Sequence, residues 1–261
     1  MDLLFYIFAG AGVGVAVGVT GVGGGSLMTP LLIFSGIPHQ VAIGTDLLYA
    51  AVTKAGGVVA HRRQGTIRWR LVILLAAGSL PAAIATSYAL KSIFEGENDY
   101  RPLLTHALGI MLILTSAVIL FRRRLQAEDL NQPIEIKWFH THASLITVIA
   151  GVFLGVLVTL SSVGAGAFGA ALLLTLYPRL PALHVVGSDI AHAVPLTLIA
   201  GLGHFFLLDT INFQLLGGLL LGSLPGVHFG AKLASRIPNQ VLQPILATLL
   251  FVIGMKFVFF S

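Results

Sequence analysis

The segment from Gly36 to Ala50, GIPHQVAIGTDLLYA, returns as RLPALHVVGSDIAHA from Arg179 to Ala193. Pro38, Gly44 and Asp46 thereby find counterparts 143 residues later at Pro181, Gly187 and Asp189. The same offset carries His61 to His204, Gly21 to Gly164 and Gly23 to Gly166, and one inserted residue then brings GSLP at Gly78 to Pro81 onto GSLP at Gly222 to Pro225. Nearly the whole chain is thus two copies of one unit. Paired repeats are a common plan of membrane carriers, with the ligand held where the copies meet. The seam between the copies is therefore the place to look for function.

The composition says what kind of unit repeats. Of the 261 residues, 56% are hydrophobic and only 10% charged, far from the balance of a soluble domain. Stretches such as 71–90, 103–121, 144–160, 215–234 and 241–260 approach the roughly 20 apolar residues that cross about 30 Å of hydrocarbon. They must be helices, because open strands would leave backbone groups unpaired in lipid. We therefore expect an all-α polytopic membrane protein. The formal charge of +5 sits in short connections, where it reports orientation and not a nucleic-acid partner. With no cysteine, disulfides, thiolate metal sites and cysteine catalysis are excluded. The first residues read as a mature span and not as a cleaved signal.

Charge also orients the repeats. Arg62, Arg63, Arg68 and Arg70 lie between the third and fourth spans of the first half, which places that loop in the cytoplasm. The equivalent segment 205–214 has no lysine or arginine and carries Asp209. The next loops reverse again, with Glu95, Glu97 and Asp99 against Lys232 and Arg236. Opposite charge in equivalent loops indicates inverted-topology repeats, each with an odd number of crossings. Arg122, Arg123 and Arg124 then put the middle of the chain inside and both termini outside. The expected division is a first repeat over 1–124, a cytoplasmic linker over 125–140 and a second repeat over 141–261. Segments 3–34 and 143–176 each fit either two short spans or a re-entrant hairpin, giving five plus five or three plus three crossings. We expect about five helical segments per repeat, the second and seventh short.

Gly-rich breaks interrupt both of those segments. The first reads TGVGGGSLMTP from Thr20 to Pro30, the second SSVGAGAFG from Ser161 to Gly169. Glycine lets backbone approach a ligand closely, and a helix restarting after a bend presents unpaired N–H groups at its positive end, a geometry for a small anion. Close helix packing is the alternative use of such glycines. Breaks at matching positions of both repeats favour the transport site. Neither has the GK[ST] ending of a phosphate loop.

Inside the spans, Asp46 and Asp189 follow Gly-Thr and Gly-Ser. Intramembrane carboxylates cost roughly 2.5 to 3.5 kcal/mol on insertion scales and are functional candidates by default, although an acid near a helix start also complements the dipole. Lys54 has no lysine twin, its counterpart being Thr197. If the third helices of the repeats meet, Lys54 and Asp189 share a depth and neutralise each other, leaving Asp46 without a partner and the freer group for proton coupling. His192, one turn after Asp189, is a proton-handling candidate. His61 and His204 fit interfacial positions, and His106 and His228 fit packing. Asp189, His192 and other histidines lack a metal-ligand spacing, so no metal and no cofactor is expected.

The motif GVTGVGGGSLMTPLLI, the AIGTDLL after it, the H-x-x-x-G-x-I-x-W from His61 to Trp69 and their second-half echoes resemble the TauE/SafE family of sulfite exporters, also described as anion permeases. The resemblance covers nearly the full chain. It implies a multi-pass inner-membrane permease that exports small sulfur oxyanions or organosulfonates such as sulfite and sulfoacetate. The second break departs from the first, with SSVGAGAFG in place of TGVGGGS.

Residues and resemblance together give a secondary transporter working by alternating access. Its anion site draws on Gly21, Gly23, Gly24, Gly25 and Ser26 in the first break and Ser161, Ser162, Gly164 and Gly166 in the second. Thr45, Ser188 and Lys54 are supplementary ligands, and Asp46, Asp189 and His192 are the coupling residues. The expected partners are a small anion and the lipid bilayer, with proton coupling and a homodimer both compatible with the sequence. A passive anion channel would use the same residues without occlusion. An intramembrane enzyme is the rival from another class, but neither HExxH nor GxSxG is present.

Overall fold

A computed structural model describes residues 3–20, 25–93, 97–127, 137–234 and 239–259. They form ten α-helices: α1 (Leu3–Thr20), α2 (Gly25–Phe34), α3 (His39–Arg63), α4 (Trp69–Ile93), α5 (Glu97–Ala127), α6 (Lys137–Ser161), α7 (Ala167–Leu176), α8 (Ala182–Leu208), α9 (Phe213–Ala234) and α10 (Asn239–Phe259). The five-plus-five expectation holds in number and in the two short members. Helices α2 and α7 have 10 residues each, about 15 Å of rise, half of a hydrocarbon core. Among the described residues, five helices, α4, α5, α6, α8 and α10, carry stretches long and apolar enough to cross a membrane.

Equivalent residues punctuate equivalent helices. Pro38 and Pro181 occupy the N-cap positions of α3 and α8 with nearly the same backbone angles, suiting a ring whose φ is already fixed and whose missing N–H is not needed there. After α3 the chain turns through Gly65 at φ 68°, and after α8 through Asp209 at φ 51°. Asp is among the few side chains that visit this left-handed region routinely. The acid that stood out by its charge also serves a turn.

Helix α1 packs along α9, and α6 along α4; α3 crosses α8, and α5 pairs with α10. The first helix of each half thus lies against the fourth helix of the other. The halves interlock, so neither could bury its faces alone. The α1–α9 seam has a cause in the sequence that the breaks had overshadowed. Gly10, Gly14 and Gly18 lie against the backbone at Leu219, Ser223 and Val227, and Gly222, Gly226 and Gly230 against the backbone at Ile7, Ala11 and Val15, each series at four-residue intervals. A Cβ on Gly14 would come 2.6 Å from the Ser223 carbonyl oxygen, so only glycine permits this approach, the small-residue packing of membrane helices. On the α4–α6 side, Gly78, Gly151 and Gly155 make the equivalent contacts with backbone at Val148, Leu75 and Ser79.

The outside of the bundle is apolar, with Phe8 72% and Phe206 71% exposed, while Asp46, His192 and His204 are wholly enclosed. That arrangement inverts the distribution of a soluble protein and matches lipid as the surrounding medium.

Candidate functional site

The second break is held open by its own backbone. Ser161 ends α6, its hydroxyl donating to the Leu157 carbonyl at 2.6 Å and accepting from the Val163 N–H at 3.2 Å. Ser162 then turns left-handed at φ 58°, and Gly164 and Gly166 follow at φ 111° and 146°, conformations that cost a Cβ-bearing residue about 1 kcal/mol or more. Gly164 also abuts the methyl end of the buried Met111. The chain restarts as α7 at Ala167.

Three charged side chains converge here from two helices that cross. Lys54 of α3 donates to the main-chain carbonyl of Ala165, an orphan acceptor created by the break. Asp189 of α8 is 1% exposed and lies against Gly169 in the first turn of α7, where a Cβ would strike its carboxylate; an acid there complements the helix dipole. Both carboxylates act electrostatically on Lys54, Asp189 more strongly than Asp46. Lys54 and Asp189 share the wall of a cavity of about 320 Å³ with Tyr49, Thr53, Gly57, Gly166 and Ala167. Most of the remaining wall is Val, Ile, Leu and Ala, the mixture of apolar lining and few polar groups usual for small-ligand sites.

Asp46 sits behind this cavity with a partner that the sequence did not disclose. The Thr29 hydroxyl of α2 donates to its Oδ2 at 2.5 Å. Ser162 lies beside the same carboxylate, outside good hydrogen-bond geometry, and Oδ1 has no hydrogen-bond partner among the described residues. Asp46 thus gains a hydroxyl donor, while Thr29 supplies no neutralising charge. Threonine at position 29 belongs to the motif itself, but only the packing of α2 on α3 aims it at the acid.

His192 is enclosed, with Nε2 2.7 Å from the Ser79 hydroxyl. Its counterpart is Tyr49, and the counterpart of Ser79 is Ser223; Tyr49 meets Ser223 across α3 and α9. One helix contact is thus written twice with different chemistry. His204 is not interfacial as expected but fully buried. Its Nε2 donates to the Thr159 carbonyl at 3.0 Å, which leaves Nδ1 to accept from Thr210 at 3.1 Å. His61 makes the equivalent contact with Thr66 at 2.8 Å.

Thr45 and Ser188 are not on the cavity wall. Thr45 accepts from the Asn212 N–H at 3.2 Å, and Ser188 from the Arg68 N–H at 2.8 Å. Each secures the start of the other half's fourth helix. Ser26 is buried in α2, and Gly25 opens that helix. Gly21, Gly23 and Gly24 lie outside the described residues, as do Glu95, Arg236, residues 128–136 of the expected linker, and the side chains of Glu97, Asp99 and Arg122 to Arg124.

The family model for the sulfite exporter TauE/SafE matches residues 6–257. The chain is 38% identical over 258 residues to the probable membrane transporter protein YjnA of Bacillus subtilis (strain 168), covering 97% of this chain and 98% of the relative. It is 27% identical over 238 residues to the probable membrane transporter protein YdhB of the same organism, covering 88% and 89%. An archaeal relative, the probable membrane transporter protein MJ0441 of Methanocaldococcus jannaschii, is 23% identical over 268 residues, covering 95% and 92%. No solved structure matches the chain. From its sixth residue almost to its last, this is a membrane transporter of the sulfite exporter TauE/SafE family.

Proposed function

We propose that the protein exports small sulfur oxyanions or organosulfonates, sulfite or sulfoacetate among them, across the inner membrane by alternating access. The proposed frame is two inverted repeats, 1–124 and 141–261, joined by a cytoplasmic linker over 125–140, with both termini outside. The observation that carries the reading is the cavity at the second break, where Lys54, Asp189 and the start of α7 meet. A small anion entering there gains the Lys54 ammonium and the first turn of α7. Gly166 lines that entry, Ser161, Ser162 and Gly164 set the backbone turn behind it, and the first break supplies its equivalent from the other repeat.

Charge arithmetic supports coupling. One lysine faces two carboxylates, Asp46 and Asp189, so an anion adds a further negative charge to an enclosed site. A proton on one carboxylate removes that cost, which ties anion movement to proton movement. Asp46, Asp189 and His192 are the groups through which it would pass.

Purified protein in proteoliposomes preloaded with unlabelled anion tests the reading by counterflow of sulfite, sulfate, thiosulfate, sulfoacetate and taurine. Exchange of sulfite or an organosulfonate, with uphill movement driven by a pH gradient, is the expected result. Flux that runs only downhill and shows no counterflow would establish a passive channel. Exchange of none of the five would overturn the substrate class.

A further inference from the structure

We propose that the protein has a second, repeat-related cavity, shut in this structure, and that the open cavity and the shut one are the two access states of one anion site. The inference rests on the transporter reading above and supplies its missing half. On the open side, Lys54 and Gly57 of α3 and Val186 and Ile190 of α8 are partly exposed along the cavity wall. Their counterparts under the 143-residue repeat are Thr197 and Ala200 of α8 and Ile43 and Leu47 of α3. All four of these are 0% exposed. The equivalent surfaces of the α3–α8 crossing line a cavity on one side and are covered on the other.

A difference in sequence accompanies the covered end. Gly201 of α8 lies against Leu48, where a Cβ would come 2.9 Å from Leu48 Cγ and 3.3 Å from its backbone nitrogen. The equivalent residues at the cavity end are Val58 and Ala191. Glycine permits the close approach to Leu48 at the covered end, whereas at the cavity end Val58 packs, half-buried, against the cluster that includes Ala191. Equivalent surfaces in two environments, one covered and one lining a cavity, are what a bistable carrier needs. The shut cavity would be floored by Asp46 with its Thr29 partner and walled by Thr197 and His192. It takes the same small anion, with Thr197 standing where the open side has Lys54.

The absence of cysteine makes the test direct and independent of any substrate. Gly57→Cys has room, the nearest side-chain atom to its Cβ lying at 3.4 Å, and Thr197→Cys is close to isosteric. Each is exposed in membrane vesicles to an impermeant maleimide on either face. Cys at 57 should label from the face bearing Arg62, Arg63, Arg68 and Arg70. Cys at 197 should label only from the opposite face and about 10- to 1000-fold more slowly, as for a state populated at roughly 0.1–10%. Gly201→Val, which installs the residue of the cavity end and crowds Leu48, should raise the rate at 197 and lower it at 57. The proposal is overturned if 197 labels from the arginine face, if both rates rise together, or if 197 stays unlabelled from both faces in a Gly201→Val protein that remains monodisperse. Sulfite counterflow is read separately. Loss of that flux with the labelling pattern intact would reject the substrate class and leave the two cavities standing.

Discussion

Lys54 donates to the main-chain carbonyl of Ala165, 111 residues away in the second glycine-rich break. The contact ties α3 of one half to the α6–α7 junction of the other. It uses a carbonyl that no helix satisfies, and it fixes a cation on which both Asp189 and Asp46 act electrostatically. Structure and charge balance meet in one side chain.

Removing that cation should destabilise the protein. Lys54→Met leaves two enclosed carboxylates without the ammonium they both face, and losing one member of a buried charge cluster costs about 3–5 kcal/mol. The double variant Lys54→Met with Asp189→Asn should regain most of the loss. Thermal midpoints of the detergent-solubilised proteins, followed by size exclusion, give the comparison. A double variant no more stable than Lys54→Met alone would separate Lys54 from Asp189.

Thr29 and Asp46 form a pair that can be dissected from both sides. Thr29→Val strips the carboxylate of its 2.5 Å donor and should cost about 1–3 kcal/mol. Asp46→Asn keeps an acceptor for Thr29, so it should fold while its anion flux loses dependence on pH. Flux measured across a pH series in proteoliposomes decides the matter; an unchanged profile in Asp46→Asn would move the coupling role elsewhere.

Glycine contrasts on a single helix test the α1–α9 seam. At Gly14 a new Cβ meets Ser223 backbone at 2.6 to 3.1 Å, whereas at Gly12 nothing lies within 4 Å. Gly14→Val should therefore prevent the protein from assembling, overpacking costing about 1–3 kcal/mol or more, and Gly12→Ala should be neutral. Yield of monodisperse protein reads the difference. Equal yields would mean that α1 does not seat on α9 as described.

Ser188 separates a ligand from a brace. Ser188→Ala removes the acceptor of the Arg68 N–H and should lower stability by about 0.5–1.5 kcal/mol without altering the half-saturating anion concentration in counterflow. A selective rise in that concentration would return Ser188 to the binding site.

Orientation is open to labelling in the same cysteine-free background. Gln64 follows α3 and Gln214 lies in the first turn of α9, both exposed. Gln64→Cys and Gln214→Cys should react from opposite faces, with Gln64→Cys reacting from the cytoplasm. Reaction from a common face would remove the inverted arrangement.

Much of the architecture was legible in the chain because it is written locally. Span lengths follow from apolar runs, and the half-length of α2 and α7 follows from glycines that interrupt them. The repeat makes Asp46 and Asp189 equivalents by position alone. What the tertiary structure alone decided was direction. Thr45 and Ser188 turn to opposing loops, Thr29 to Asp46, and Lys54 to a carbonyl in the other half. The physical reason lies in the solvent. A helix in water shows its buried face as an apolar stripe, but a helix in lipid is apolar on both faces, so hydropathy does not report its rotation. Rotation is set by the close contacts of glycine-lined helices and the few polar groups that must find partners, and those contacts join residues more than 100 positions apart.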